Sequence, residues 1–236
     1  MSLLAAENLA KRYGGVVALA DCSVRIERPG IYGLIGPNGA GKTTLFDVVT
    51  GSTQPDAGRV RIEGRDVTGI APHRLHRIGV ARTFQECRVF AQASCLENLL
   101  FSLQMIGWGR SARREEALRM LRLVNLEAHA HEPAASLSFG QRRLLEIVGT
   151  FIVRPRFLLL DEPASGVNPV LLETLAAFLR AMYRERPGVF LIVEHNMQFI
   201  MALADELIVM HQGAILERGA PEAIQRSARV VEAYLG

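Results

Sequence analysis

Two rhythms of apolar residues run along this chain. Residues 58–67, Gly-Arg-Val-Arg-Ile-Glu-Gly-Arg-Asp-Val, alternate polar and apolar side chains, the period-two pattern of a half-buried strand. The short apolar runs 157–160 and 189–193 predict strands buried on both faces. Residues 3–35 read as short strands turned at Gly14-Gly15 and Pro29-Gly30. Residues 78–84 and 206–210 read as further strands, the second closing on a turn at Gln212-Gly213. Helical spacing takes over elsewhere. Ser94-Cys-Leu-Glu97 has the form of a capping box ahead of Leu99-Leu100-Phe101. Residues 112–126 interleave charges with leucines, and residues 170–183 place Leu171, Leu172, Leu175, Phe178, Leu179 and Met182 on one helical face. Residues 196–204 read as a helix. Strands alternating with helices predict an α/β fold around a mostly parallel sheet. The helical stretch at about 94–145 interrupts that alternation and reads as an inserted helical subdomain.

Composition narrows the picture only a little. A chain of 236 residues with 49% hydrophobic and 22% charged residues has the makings of one compact domain or two small subdomains. The net charge of +3 carries no nucleic-acid footprint, so no nucleic-acid partner is expected. Cys22, Cys87 and Cys95 lack metal spacing and read as reduced cytosolic thiols. The N-terminus lacks the pattern of a signal peptide, and no stretch approaches the about 18 uninterrupted apolar residues of a membrane span. A membrane role therefore has to come through a partner.

The chemistry begins at Gly36-Pro37-Asn38-Gly39-Ala40-Gly41-Lys42-Thr43-Thr44, which fits G-x-x-x-x-G-K-[ST] between an apolar run at 30–35 and Leu45-Phe-Asp-Val-Val. Glycines let consecutive N–H groups turn inward on phosphate oxygens, and the following helix adds its positive end. Lys42 supplies a charge to the β- and γ-phosphates, and Thr43 a hydroxyl for Mg²⁺. The chain is thus expected to bind a nucleoside triphosphate. Asp161 and Glu162 end the apolar run 157–160 at the sheet edge where open α/β sheets hold ligands. Asp161 there suits Mg²⁺, and Glu162 suits polarising the attacking water. Leu137-Ser138-Phe139-Gly140-Gln141 precedes a helix expected near Arg142. Its serine hydroxyl, glycine N–H and helix end make a second anion site. One full phosphate loop and one half-site predict a nucleotide sandwiched between two protomers.

With these residues in place, the chain resembles the ATP-binding subunits of ABC transporters over essentially its full length. Residues 36–44 match the Walker A loop, Gln85 the Q-loop, 137–141 the signature motif and 157–162 Walker B with its glutamate. Residues 164–169 match the D-loop, His195 the switch histidine, and Tyr13 the aromatic that stacks on adenine. Taken alone, Tyr13 reads more readily as a packing aromatic and His195 as a structural histidine, and Gln85 says nothing; order and spacing carry the resemblance. Arg82-Thr-Phe-Gln85, Arg88, Phe90, Glu97-Asn-Leu, Asn168-Pro169 and Glu194-His-Asn-Met197 resemble the ATPases of bacterial branched-chain amino-acid importers. Urea-type importers and the lipopolysaccharide-export ATPase are similar alternatives, and a soluble, non-transport ABC ATPase is a more distant one. Phe139 stands where many members carry glycine, and the helical region around 104–116 is shorter than in many of them.

The resemblance implies a P-loop NTPase (RecA-like) core at 1–92 and 147–236 with an N-terminal antiparallel β subdomain, and a helical subdomain at 93–146. It implies ATP and Mg²⁺, the ion held by Thr43, Gln85 and Asp161. Tyr13, residues 36–44, and Ser138, Gly140 and Gln141 from a second ATPase subunit, the same or a related chain, bind the nucleotide. Glu162, His195 and Gln85 are the implied catalytic residues. The implied partners are transmembrane permease subunits and, indirectly, a periplasmic solute-binding protein. The implied location is the cytoplasmic face of the inner membrane, held there through the permease.

Overall fold

The computed structural model describes residues 2–83 and 87–235. β1 (Leu4–Tyr13) and β2 (Val16–Ile26) form a hairpin across Gly14-Gly15, and β3 (Gly30–Ile35) leads through the glycine loop into α1 (Lys42–Val49). β4 (Ala57–Ile62) and β5 (Arg65–Asp66) return to the hairpin and complete an antiparallel sheet in the order β2-β1-β4-β5. After α2 (Pro72–Arg77) and β6 (Val80–Arg82) comes the helical region: α3 (Cys95–Ser102), α4 (Arg110–Leu123) and α5 (Phe139–Phe151). β7 (Phe157–Asp161), α6 (Pro169–Glu185), β8 (Val189–Val193), α7 (Met197–Leu203), β9 (Glu206–His211), β10 (Ala214–Gly219), α8 (Pro221–Arg226) and α9 (Ala228–Leu235) complete the chain. The central sheet runs β10-β9-β3-β8-β7-β6, parallel from β9 to β6, with β10 antiparallel on the edge.

The parallel strands are apolar throughout because both faces are covered. Ile31, Leu158, Leu160, Phe190, Ile192, Leu207 and Val209 point to one side, into a core shared with Leu144 of α5, Phe178 of α6 and Phe199 of α7. Tyr32, Leu34, Leu159, Leu191, Ile208 and Met210 point to the other, against Phe46 of α1 and Leu9 and Ile26 of the antiparallel sheet. α1 is therefore wedged between the two sheets. Leu96, Leu99, Met120 and Leu121 of the helical region join the first of these cores, so α3 and α4 pack into the same apolar body as the sheet. The expected division at 146/147 falls inside α5.

Several boundaries differ from the sequence reading. The single strand expected at 58–67 is a hairpin, because Glu63 (φ 50°) and Gly64 (φ 79°) both adopt the left-handed conformation of a two-residue turn. Of the strand expected at 78–84, Val80–Arg82 form β6, while Ile78 still caps α2 and Gly79 turns at φ 87°; Phe84 lies outside the described residues. α5 begins at Phe139, not near Arg142: Ser138 is its N-cap, closed by a capping box with Gln141. β10, α8 and α9 were not assigned in the sequence reading, although α9 is amphipathic and α8 buries Pro221 and Ile224.

Candidate nucleotide-binding site

The parallel register brings three strand ends level. Leu34 of β3 and Asp161 of β7 both stand beside Val193 of β8. The chain leaves β3 into the glycine loop, β7 into Glu162, and β8 into Glu194 and His195, so one sheet edge collects all three segments.

The loop owes its shape to what lies behind it. A side chain on Gly36 (φ 149°) would meet the Met210 carbonyl oxygen at 2.2 Å, and one on Gly41 (φ 99°) the Ala18 carbonyl oxygen at 2.4 Å. Gly213 N–H donates to the Ala40 carbonyl at 3.0 Å, bracing the loop from the β9–β10 turn. Asn38, Gly39 and Thr43 are exposed, Ala40 is buried, and Pro37 and Thr44 lie between. A Cβ on Gly39 would meet nothing within 4 Å, so that side of the loop opens outward. α1 starts at Gly41 without a side-chain cap, which leaves its first N–H groups for an anion. The Lys42 ammonium folds back to donate to the carbonyls of Gly36 (2.7 Å) and Pro37 (2.9 Å). Burial lowers its pKa, and the charge of Glu162 opposes that, which places the two at one site.

Asp161 is buried. Burial first, then the Glu162 charge, raise its carboxyl pKa; Asp47 adds to this, and Arg82 and Arg143 oppose it. The Asp161 carboxylate, at the end of β7, and the Thr43 hydroxyl, on the first turn of α1, are oxygen donors of the kind a hard divalent cation takes, while Asp47 is paired with Arg82 at 3.0 Å. Glu162 sits at φ 44°, held by its N–H on the Val193 carbonyl at 2.9 Å. His195 Nδ1 approaches its Oε1 at 3.5 Å. Asp161, Glu162, His195 and the 36–44 loop are thus brought together. Gln85 lies outside the described residues.

Tyr13 stands at the end of β1, about half exposed at 49%, with Lys11 Nζ 5.6 Å from its ring centroid. Ser138 and Gln141 bond each other. Gly140 is buried against Leu171, where an added Cβ would come within 2.8 Å of Cδ1. The Phe139 ring lies over Gly166, which accounts for a bulky residue at that position: its contact is with the 164–168 turn. Among the described residues no hydrogen bond joins 138–141 to the 36–44 loop.

The roles of three residues escaped the sequence reading. Glu194, 1% exposed, accepts N–H bonds from Ala164 (2.7 Å), His195 (3.0 Å) and Asn196 (3.0 Å), stapling the 164–168 turn to the histidine segment. Burial raises its pKa against the pull of those donors. Its place at the end of an apolar run, like that of Asp161, was the available signal. Arg143 of α5, buried beside Glu146, donates to the Asp161 carbonyl at 2.6 Å; in sequence it is an ordinary i,i+3 pair. Tyr234 of α9 lies near the Gly36 backbone, and burial raises its phenol pKa against the influence of that backbone. Nothing in the sequence distinguished it. Burial and Glu146 push the Cys87 thiol up to about 11, an unreactive state.

Comparison with known proteins agrees with this geometry. Residues 19–165 match the family model described as ABC transporter. The high-affinity branched-chain amino acid transport ATP-binding protein BraF of Pseudomonas aeruginosa is 37% identical over 99% of this chain and 98% of its own. The probable branched-chain amino acid transport ATP-binding protein LivG of Archaeoglobus fulgidus is 36% identical over 100% of this chain and 96% of its own. A nucleotide-free ATP-binding cassette from an ABC transporter superposes with a TM-score of 0.87 at 30% identity, covering both chains fully. A cassette in its ADP conformation superposes at 0.86 and 31% identity over 100% of this chain and 99% of the other. With a braced phosphate loop, two acids and a histidine on one sheet edge, and full-length similarity at these levels, the chain belongs to the ABC transporter family as one of its ATP-hydrolysing, ATP-binding subunits.

Proposed function

We propose that this chain powers an importer of branched-chain or related amino acids from the cytoplasmic face of the membrane, bound there through permease subunits. The observation that carries the solute class is the near end-to-end similarity to transport ATPases of that name. No described helix is long and apolar enough to cross a membrane, and in this reading the permease subunits supply the attachment. An open groove between α2–β6 and the helical region is lined by His73, Arg82, Phe101 and Val153 and continues to Phe90. Phe90 and Phe101 meet edge to face at 5.2 Å, both largely exposed, and offer an apolar seat for a permease helix.

In the proposed site, N–H groups of the 36–44 loop and the Lys42 ammonium bind the β- and γ-phosphates, and Tyr13 stacks on the base. Lys42 exchanges its two loop carbonyls for phosphate oxygens. Mg²⁺, when bound, neutralises phosphate charge; Thr43 and Asp161 would hold it, with Gln85 the further ligand expected from the sequence. Glu162 accepts the proton of the attacking water, and His195 contacts the γ-phosphate. Ser138, Gly140 and Gln141 close the site from a second subunit, whose approach sequesters the reaction from solvent. The test is reconstitution with the native permease. ATPase turnover should rise with a solute-binding protein loaded with leucine, isoleucine or valine. Turnover indifferent to any solute-binding protein overturns the import reading in favour of an export-type system.

A further inference from the structure

We infer that Arg143 is a positioning residue that ties each subunit's own Glu162 to the helix it offers to its partner's nucleotide. The inference rests on the proposed two-subunit site and adds a connection between its two halves. Arg143 is 3% exposed and lies in the second turn of α5, the helix that Ser138 begins. Its Nη2 donates to the carbonyl oxygens of Asp161 at 2.6 Å and Glu162 at 3.4 Å, and its Nη1 donates to Glu146 Oε2 at 2.7 Å.

The peptide that aims Glu162 is held from several directions. Thr83 Oγ1 accepts the Asp161 N–H at 3.0 Å, the Val193 carbonyl accepts the Glu162 N–H at 2.9 Å, and Ser165 N–H donates to the Glu162 carbonyl at 3.1 Å. These come from the sheet edge or from the turn itself. Among the described residues Arg143 is the one grip that comes from the signature helix. Glu162 is in the left-handed region at φ 44°, which a non-glycine residue keeps only when its surroundings insist. A planar guanidinium transmits position better than a single flexible donor, and a shift of about 1 Å in a reacting group costs up to about a hundredfold in rate. When the start of α5 closes on the partner's phosphate, Arg143 carries that movement to the glutamate of its own site. Each subunit's commitment to hydrolysis then depends on its having engaged the opposite nucleotide.

The tests are Arg143→Lys and the double replacement Arg143→Met with Glu146→Leu, an apolar pair that removes the buried ion pair without stranding a charge. In both, ATP affinity should stay at the wild-type value while kcat falls, by roughly 10- to 100-fold in the double variant and less with lysine. Wild-type kcat in either variant overturns the inference. Linked dimers then locate the effect. Placed on the subunit with the intact Glu162, the double replacement should slow the remaining site. Placed on a subunit already carrying Glu162→Gln, it should leave the remaining site at the rate of the Glu162→Gln control dimer. The opposite pattern would make Arg143 a support of the 137–141 segment and sink the coupling. Equal turnover of wild type and Glu162→Gln would instead overturn the role proposed for Glu162, whatever Arg143 does.

Discussion

The two helix starts that face phosphate in the proposed site are finished in opposite ways. α1 begins at left-handed Gly41 with no side-chain cap. α5 begins at Ser138, whose hydroxyl accepts the Gln141 N–H at 3.3 Å while Gln141 Oε1 accepts the Ser138 N–H at 2.9 Å. The first leaves its N–H groups open and is ready for an anion within a single chain. The second contains its own substitute for one, and the long serine contact is the part a phosphate can displace. Affinity for nucleotide therefore belongs to the α1 side, and dependence on a second subunit belongs to the α5 side.

The sharpest way to break this division is at Lys42. Lys42→Ala should abolish ATP binding by isothermal titration, because nothing else in the loop carries its charge; unchanged affinity contradicts the assignment. Glu162→Gln should keep ATP binding and lower turnover at least ~100-fold, the scale of a lost general base. Ser138→Ala should leave ATP affinity of the isolated chain intact but cut turnover of the assembled dimer by roughly 10- to 100-fold, one hydrogen bond to a charged group. Weakened binding in the isolated chain would erase the distinction between the two helix starts. Tyr13→Ala should weaken ATP binding by about 1–3 kcal/mol, and no change by titration returns Tyr13 to the packing class.

The smallest effect concerns stability without ligand. Burial and Glu162 raise the Asp161 pKa in the folded chain above its unfolded value, so its ionised form opposes folding at neutral pH. That cost fades as pH falls through the raised pKa and the carboxyl takes up a proton. Asp161→Asn should therefore raise the melting temperature of the ligand-free protein at pH 7, with the gap to wild type closing toward acid pH. A lower melting temperature at pH 7 would show that the carboxylate is already compensated without a cation.

The strands buried on both faces were legible because Leu158–Leu160 and Val189–Val193 leave no polar position to misplace. The phosphate loop was legible because its glycines and lysine act at fixed spacing. What stayed hidden depends on distance. Arg143 meets Asp161 across 18 residues, as their hydrogen bond records, and Glu194 meets Ala164 across 30. No local period encodes either contact. The start of α5 was placed too late because Phe139 and Gly140 read as loop residues, whereas the Ser138–Gln141 capping box makes them the first turn. Glu63-Gly64 was passed over because the alternation around it is strong on both sides.

The glycines of the phosphate loop also bear on how far the motif can travel. Gly36 and Gly41 are dictated by the carbonyl oxygens of Met210 and Ala18, which belong to β9 and β2 rather than to the loop. Residues 36–44 transplanted into another scaffold would carry their spelling but not the walls that shape them. Alanine at Gly36 or Gly41 should disable the loop even with the nucleotide absent, whereas Gly39, open on its outer side, answers chiefly to its own backbone. The portable unit is two sheets with a helix between them, and the nine-residue motif is only its most visible seam.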